Sequence, residues 1–118
     1  MCIDPNLVDA IGEFLVQKLQ QRTIAHYSEV VERFGMPEFD GHWAQHPLNQ
    51  IFHILDQQDA HANRPFRTAV VVLVRTNSPG QGFYQALRQM KGMAVPNNRE
   101  AQEAIWIQEL QAAYAYPW

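Results

Sequence analysis

The sequence predicts a mainly α chain with a small β element, an α+β fold built as a single domain over residues 1–118. Three observations lead there. Apolar residues return at helical spacing in five separate stretches. Only one run, Thr68 to Val74, is short, continuous and valine-rich in the manner of a buried strand. And 118 residues with 47% apolar and 18% charged content suffice for a core without disulfides or metal staples.

Asp4 and Pro5 open the first helix as N-cap and first helical position. Leu7, Val8, Ile11, Phe14, Leu15 and Leu19 carry it to about Gln21. Thr23 opens a second helix, or a short strand leading into one. Its inner stripe is Ile24, Tyr27, Val30, Val31 and Phe34, and Gly35 stops it with Pro37 just beyond. Residues 36–46 are a loop plugged by Phe39 and Trp43. Pro47 starts a third helix with Leu48, Ile51, Phe52 and Leu55 inward and Asn49, Gln50, His53, Gln57 and Gln58 outward. Residues 62–65, A-N-R-P, break it and feed the strand. Asn77-Ser78-Pro79-Gly80 is a turn in which Ser78 and Gln81 have capping-box spacing, with Pro79 at the first position of a fourth helix. That helix packs Phe83, Leu87 and Met90 and ends at Gly92. A last helix from Arg99 to about Tyr114 packs Ala101, Ile105, Trp106, Leu110 and Tyr114, and the apolar ending Tyr116-Pro117-Trp118 is expected to dock.

Charge is divided unevenly. Residues 1–59 hold nine acids against Lys18, Arg22 and Arg33, a balance of −6. Residues 60–99 hold Arg64, Arg67, Arg75, Arg88, Lys91 and Arg99 and no acid, a balance of +6. Such a block suits a negatively charged partner, nucleic acid or an acidic protein. The alternative is that these cations pair with acidic helices of the same domain. The single cysteine, Cys2, cannot close an internal disulfide, which fits a reducing cytoplasm. No stretch is long and apolar enough for a membrane span, and the first twenty residues do not resemble a signal peptide.

The order helix, short T-x-x-x-Y helix, loop, helix, strand, turn resembles a winged-helix domain, specifically the DNA-binding domain of alkylguanine alkyltransferases and alkyltransferase-like proteins. Three places over roughly residues 20–90 carry the likeness. Thr23 to Gly35 (TIAHYSEVVERFG) is similar to that family's T-x-Y-x-x-L-A-x-x-x-G opening. The helix from Pro47 to Asn63 stands where its recognition helix lies. Arg64 to Val72 (RPFRTAVVV) stands where its proline–cysteine–histidine–arginine–valine strand falls. The turn Pro79-Gly80-Gln81-Gly82-Phe83 also resembles a P-G-x-G-F turn in small uncharacterised bacterial proteins. The resemblance implies a winged-helix-like domain with flanking terminal helices, but no alkyl transfer. No cysteine stands at or beside Pro65-Phe66-Arg67, and Leu48 and Asn49 replace the family's early helix arginine.

The residues themselves point to binding rather than catalysis. His42, His46 and His53, with Asp40 or Asp56, invite a metal reading, but Pro47 interrupts the helix that an i,i+4 histidine pair needs. Loop and surface histidines account for them, and no metal or other cofactor is expected. Ser28 and Ser78 lack a nucleophile context. Asp56 and Asp59, at i,i+3, are expected on a solvated face. The N–H groups of Gly80, Gln81 and Gly82, with Arg75 and Arg88, form a candidate anion cradle. Asn49, Gln50, His53 and Gln57 are residue types that read base edges, with Arg64, Arg67, Arg75 and Lys91 available for phosphates. The two exposed aspartates and the net acidity would oppose that use, so a homodimer or a partner would be needed. The expected function is a non-enzymatic nucleic-acid-binding module acting through residues 47–63 and the basic 64–91 segment. The alternative is a small protein-binding inhibitor of the immunity or antitoxin type, docking through its charge asymmetry and the aromatics Trp43, Tyr84 and Trp118.

Overall fold

The computed structural model describes residues 4–37 and 46–118. Its elements in chain order are α1 (Pro5–Gln20), β1 (Ala25–His26), α2 (Tyr27–Arg33), α3 (Pro47–His61), a 3-10 turn (Arg67–Val70), β2 (Val71–Val72), α4 (Gln81–Lys91) and α5 (Arg99–Ala115). The fold is mostly helical with a two-stranded parallel sheet in which Ala25 lies opposite Val71 and His26 opposite Val72. The loop aromatics Phe39 and Trp43, together with Cys2, Asp40 and His42, lie outside the described residues.

Local chemistry sets the helix ends. The Asp4 carboxylate accepts from the Asn6 N–H at 2.9 Å ahead of Pro5, and Asn98 caps α5 in the same way through Glu100 and Ala101. His46 caps α3: its Nδ1 accepts from the Leu48 N–H at 3.1 Å, and its Nε2 lies 2.7 Å from the Pro37 carbonyl, to which it must donate. Those two bonds require the neutral ring with its proton on Nε2. At the other ends, Gly35 and Gly92 take positive φ, the left-handed conformation that stops α2 and α4.

The centre of the molecule is the segment Phe66 to Val72, packed against α1, α3 and α5. Phe66, Ala69, Val70, Val71 and Val72 are fully buried, among Ile11, Leu15 and Leu19 of α1, Leu48, Ile51 and Leu55 of α3, and Trp106 of α5. A seven-residue strand over Thr68–Val74 does not form. Arg67–Val70 wind into the 3-10 turn because long-range partners take their polar groups: Trp106 Nε1 donates to the Ala69 carbonyl at 2.8 Å and Thr68 Oγ1 donates to Asp56 at 2.6 Å. Only Val71 and Val72 pair, since β1 itself passes into α2 at Tyr27. Leu73 and Val74 leave the core and are exposed.

The turn that follows also differs from its sequence reading. The Leu73 N–H donates to the Ser78 carbonyl and the Asn77 N–H to the Leu73 carbonyl, closing a loop over 73–78. Ser78 Oγ meets Thr76 Oγ1 at 2.9 Å rather than capping a helix, and α4 begins at Gln81 with Gly80 as an N-cap that offers no side chain. At the C-terminus Trp118 docks as expected, donating from Nε1 to the Ala113 carbonyl at 2.7 Å.

Gly12 shows how tightly α1 approaches the centre. A Cβ there would stand 2.9 Å from Arg67 Nη1 and 3.1 Å from Leu55 Cδ2, so glycine, normally unfavourable inside a helix, makes room for the arginine. Phe66 fills the middle of this arrangement, edge-on to Phe83 with ring centroids 6.2 Å apart. Replacing it with alanine is expected to cost about 3–5 kcal/mol of unfolding free energy, measured by urea denaturation at constant pH.

Candidate functional site

Two aspartates on α3 organise the chemistry of this molecule, and both face inward. Leu48, Phe52 and Leu55 form the buried stripe of α3, and Asp56 and Asp59 continue it at helical spacing. That continuation was the signal in the sequence that the pair belongs inside. Asp59 is fully buried and Asp56 is 4% exposed, which corrects their expected solvated position.

Asp59 is met by two cations. Arg64 Nε donates to its Oδ1 at 2.6 Å, and Arg67 Nε reaches Oδ1 and Oδ2 at 3.1 and 3.2 Å. The Arg67 backbone N–H adds a bond to Oδ2 at 2.9 Å, and Arg67 Nη2 donates to Gln58 Oε1 at 3.0 Å. A buried carboxylate is tolerated when its lone pairs are filled in this way. A second cluster mirrors it on α5. Glu109 Oε2 accepts from the Phe66 N–H at 2.9 Å and from Lys91 Nζ at 2.8 Å, while Lys91 also donates to the Arg64 carbonyl at 3.0 Å and lies 4.5 Å from the centre of the Phe66 ring. Arg88 clasps the Val95 carbonyl through Nε and Nη2 at 3.1 and 2.8 Å, tying down the loop between α4 and α5.

Of the six cations between residues 60 and 99, Arg64, Arg67, Arg88 and Lys91 are therefore committed within the chain, and Arg75 and Arg99 are exposed without a partner among the described residues. The candidate anion cradle at α4 is not assembled as expected. Arg88 is turned to Val95, and the Tyr27 phenol is hydrogen-bonded to the Gly80 backbone. Gln81, exposed at the first turn, points its amide nitrogen to Gln102 Oε1 at 3.4 Å.

The remaining candidates share a face. Asn49 and Gln50 are half-buried and His53 and Gln57 exposed on α3. Asn49 and His53 line a partly open cleft of about 150 Å³ between α3 and α4. Tyr27, Phe52, Asp56, Thr68, Phe83 and Gln85 are among its other lining residues, and of these sequence reasoning weighed only Asp56, as a metal ligand. Tyr84, expected as an exposed aromatic, is buried, and with Glu103 nearby its phenol titrates above the usual range. Among the described residues no three histidine, cysteine, aspartate or glutamate side chains gather as metal ligands.

Asp56 differs from its neighbour. Its Oδ1 accepts from Thr68, but no cation pairs with it among the described residues. Burial, reinforced by the Asp59 charge, pushes its carboxyl up to about 7, against the opposing Thr68 bond and the more distant Arg67 and Lys91. Burial and the Asp56 charge likewise raise the Tyr27 phenol. No family model, curated protein or solved structure matches the chain. Its own geometry has to carry the functional reading.

Two predictions follow from these aspartates. Asp59→Ala leaves the Arg67 guanidinium, largely covered, without its counter-ion and is expected to destabilise by about 3–5 kcal/mol in urea denaturation. For Asp56 the folded state binds its proton more tightly than the unfolded chain does, so its contribution makes stability fall as pH rises from about 4 to about 7 and then level off. Asp56→Asn removes that component. Urea midpoints of the variant and the parent, taken across this range, should diverge in the variant's favour toward neutral pH.

Proposed function

We propose that the chain is a non-enzymatic binding module of winged-helix-like architecture that contacts nucleic acid through the outer face of α3. The observation that carries this reading is the chemistry of that face. With Asp56 and Asp59 turned inward, Asn49, Gln50, His53, Gln57 and Gln58 present amide and imidazole groups with no acid among them. These groups suit base edges in a major groove. The helix lies beside the 73–80 turn, where Arg75 projects into solvent. The reading also rests on the resemblance in sequence to the alkyltransferase DNA-binding domain, in which Phe66, fully buried here, aligns with the family's cysteine.

The internal ion pairs set the strength of such binding. Phosphate neutralisation dominates non-specific affinity, and four of the six cations of the basic block are already engaged. Arg75 and Arg99 remain. Binding through two phosphate contacts should give a slope near −2 in a plot of log affinity against log salt, about −0.9 per contact. Fluorescence anisotropy with a labelled duplex across a salt series measures it. Arg75→Glu with Arg99→Glu should abolish the binding, and absence of binding by the parent chain at low salt would sink the reading.

A second reading, a protein-docking inhibitor of the immunity or antitoxin type, is favoured by one specific observation. Leu73 and Val74, 38% and 63% exposed, place apolar side chains beside Arg75 at the edge of a wide cleft that Tyr27, Val31 and Met36 also line. Desolvated apolar groups beside a cation are common anchors in protein interfaces. Leu73→Ser with Val74→Ser should leave the salt-dependent duplex binding intact under the first reading.

A further inference from the structure

We propose that the cleft between α3 and α4 binds a guanidinium group, seated on the Asp56 carboxylate in a space lined in part by aromatic side chains. This site does not depend on the nucleic-acid reading. Three features of the cleft lead to it.

The first is the state of the carboxylate. Buried acids are almost always paired, and the two comparable acids of this chain are: Asp59 with Arg64 and Arg67, Glu109 with Lys91. Asp56, equally covered, has a single hydrogen bond, from Thr68 to Oδ1. Among the described residues Oδ2 receives no donor. Yet no sealed side-chain nitrogen or oxygen lacks a partner, so Oδ2 is not sealed, and the cleft that Asp56 lines is where it opens.

The second feature is shape. A space of about 150 Å³ is of the size that takes one benzene-sized group, too small for a nucleotide and ample for a flat guanidinium. Tyr27, Phe52 and Phe83 are among its lining, the first two with ring centroids 5.5 Å apart. A planar, weakly hydrated cation suits an aromatic-lined space and a carboxylate that accepts two parallel N–H bonds.

The third is the rim. His53, Gln85 and Gln89 are exposed there and bring hydrogen-bonding groups, and among the described residues no lysine or arginine lines the mouth. An anionic ligand is disfavoured by the acid on the floor. The groups facing Asp56 are Tyr27 from α2, His53 and Asp59 from α3, Thr68 and Arg67 from the 3-10 turn and Lys91 from α4. Arg67 and Lys91 are held by other acids, so among the described residues no cation of the chain is bound to Asp56. Because the ionised carboxylate is the binding form, affinity should rise with pH through the Asp56 titration.

Amide-detected NMR titration of the full chain tests this, with methylguanidinium, its neutral analogue methylurea and a short arginine-containing peptide as probes. Saturable shifts at Phe52, Asp56, Thr68 and Gln85 are expected with methylguanidinium and not with methylurea. Asp56→Asn keeps an acceptor for Thr68 and should weaken binding on the order of tenfold, the worth of one charge-assisted hydrogen bond. Gln85→Lys, at an exposed position, supplies a competing internal cation and should also weaken it. Tighter binding of the peptide than of methylguanidinium would identify a partner's arginine as the source, and equal binding a free small cation. Equal shifts with methylurea, no shifts at all, or affinity unchanged in both variants would overturn the proposal.

Discussion

The grip of Arg64 and Arg67 on the buried Asp59 carboxylate is the constraint on which the structure depends. It joins the last turn of α3 to the start of the central segment, and every later element packs on that segment. Two guanidinium groups and a backbone N–H meet on a fully buried carboxylate, so losing a partner there would be expensive. Gly12 belongs to the same arrangement: α1 can lie close only because no side chain intrudes on Arg67. Helix, turn and neighbouring helix are fixed together by one ionic cluster.

The same cluster changes the meaning of the chain's charge. A forty-residue window rich in arginine and free of acids looks in sequence like a surface for a polyanion. In three dimensions much of that charge is neutralised by Asp59 and Glu109, from α3 and α5. What faces outward from α3 is a neutral, amide-rich surface, with charge left at the 73–80 turn and near the start of α5. A face of that kind discriminates by hydrogen-bond pattern rather than by long-range attraction.

Helix positions were legible because their punctuation is local. Asp4 with Pro5, Pro47, Gly35 and Gly92 each fix an end within a few residues of themselves, and the helices end within two residues of those marks. The valine-rich run was legible as buried but not as to its backbone form. Whether Thr68 to Val70 extend or coil is decided by Asp56 and Trp106, distant in sequence. Ser78 shows the limit of a spacing rule, since its hydroxyl found Thr76 instead of a helix N–H. Of the candidate site, Asn49 and His53 were found from residue type, whereas Asp56 was misplaced because an i,i+3 acid pair is usually solvated. Tyr27, Gln85 and Gln89 carry no signal until α2, α3 and α4 are folded together.

The central segment has two hydrogen bonds with α5: Glu109 accepts from the Phe66 N–H, and the Trp106 indole N–H donates to the Ala69 carbonyl. During synthesis the ribosome therefore releases Phe66 to Val72 about forty residues before its partners in α5 exist. Until α5 emerges, this stretch has unmet backbone groups and β-branched side chains, the composition that pairs readily with other nascent chains. Completion of the central segment's hydrogen bonds therefore waits on the last helix of the chain.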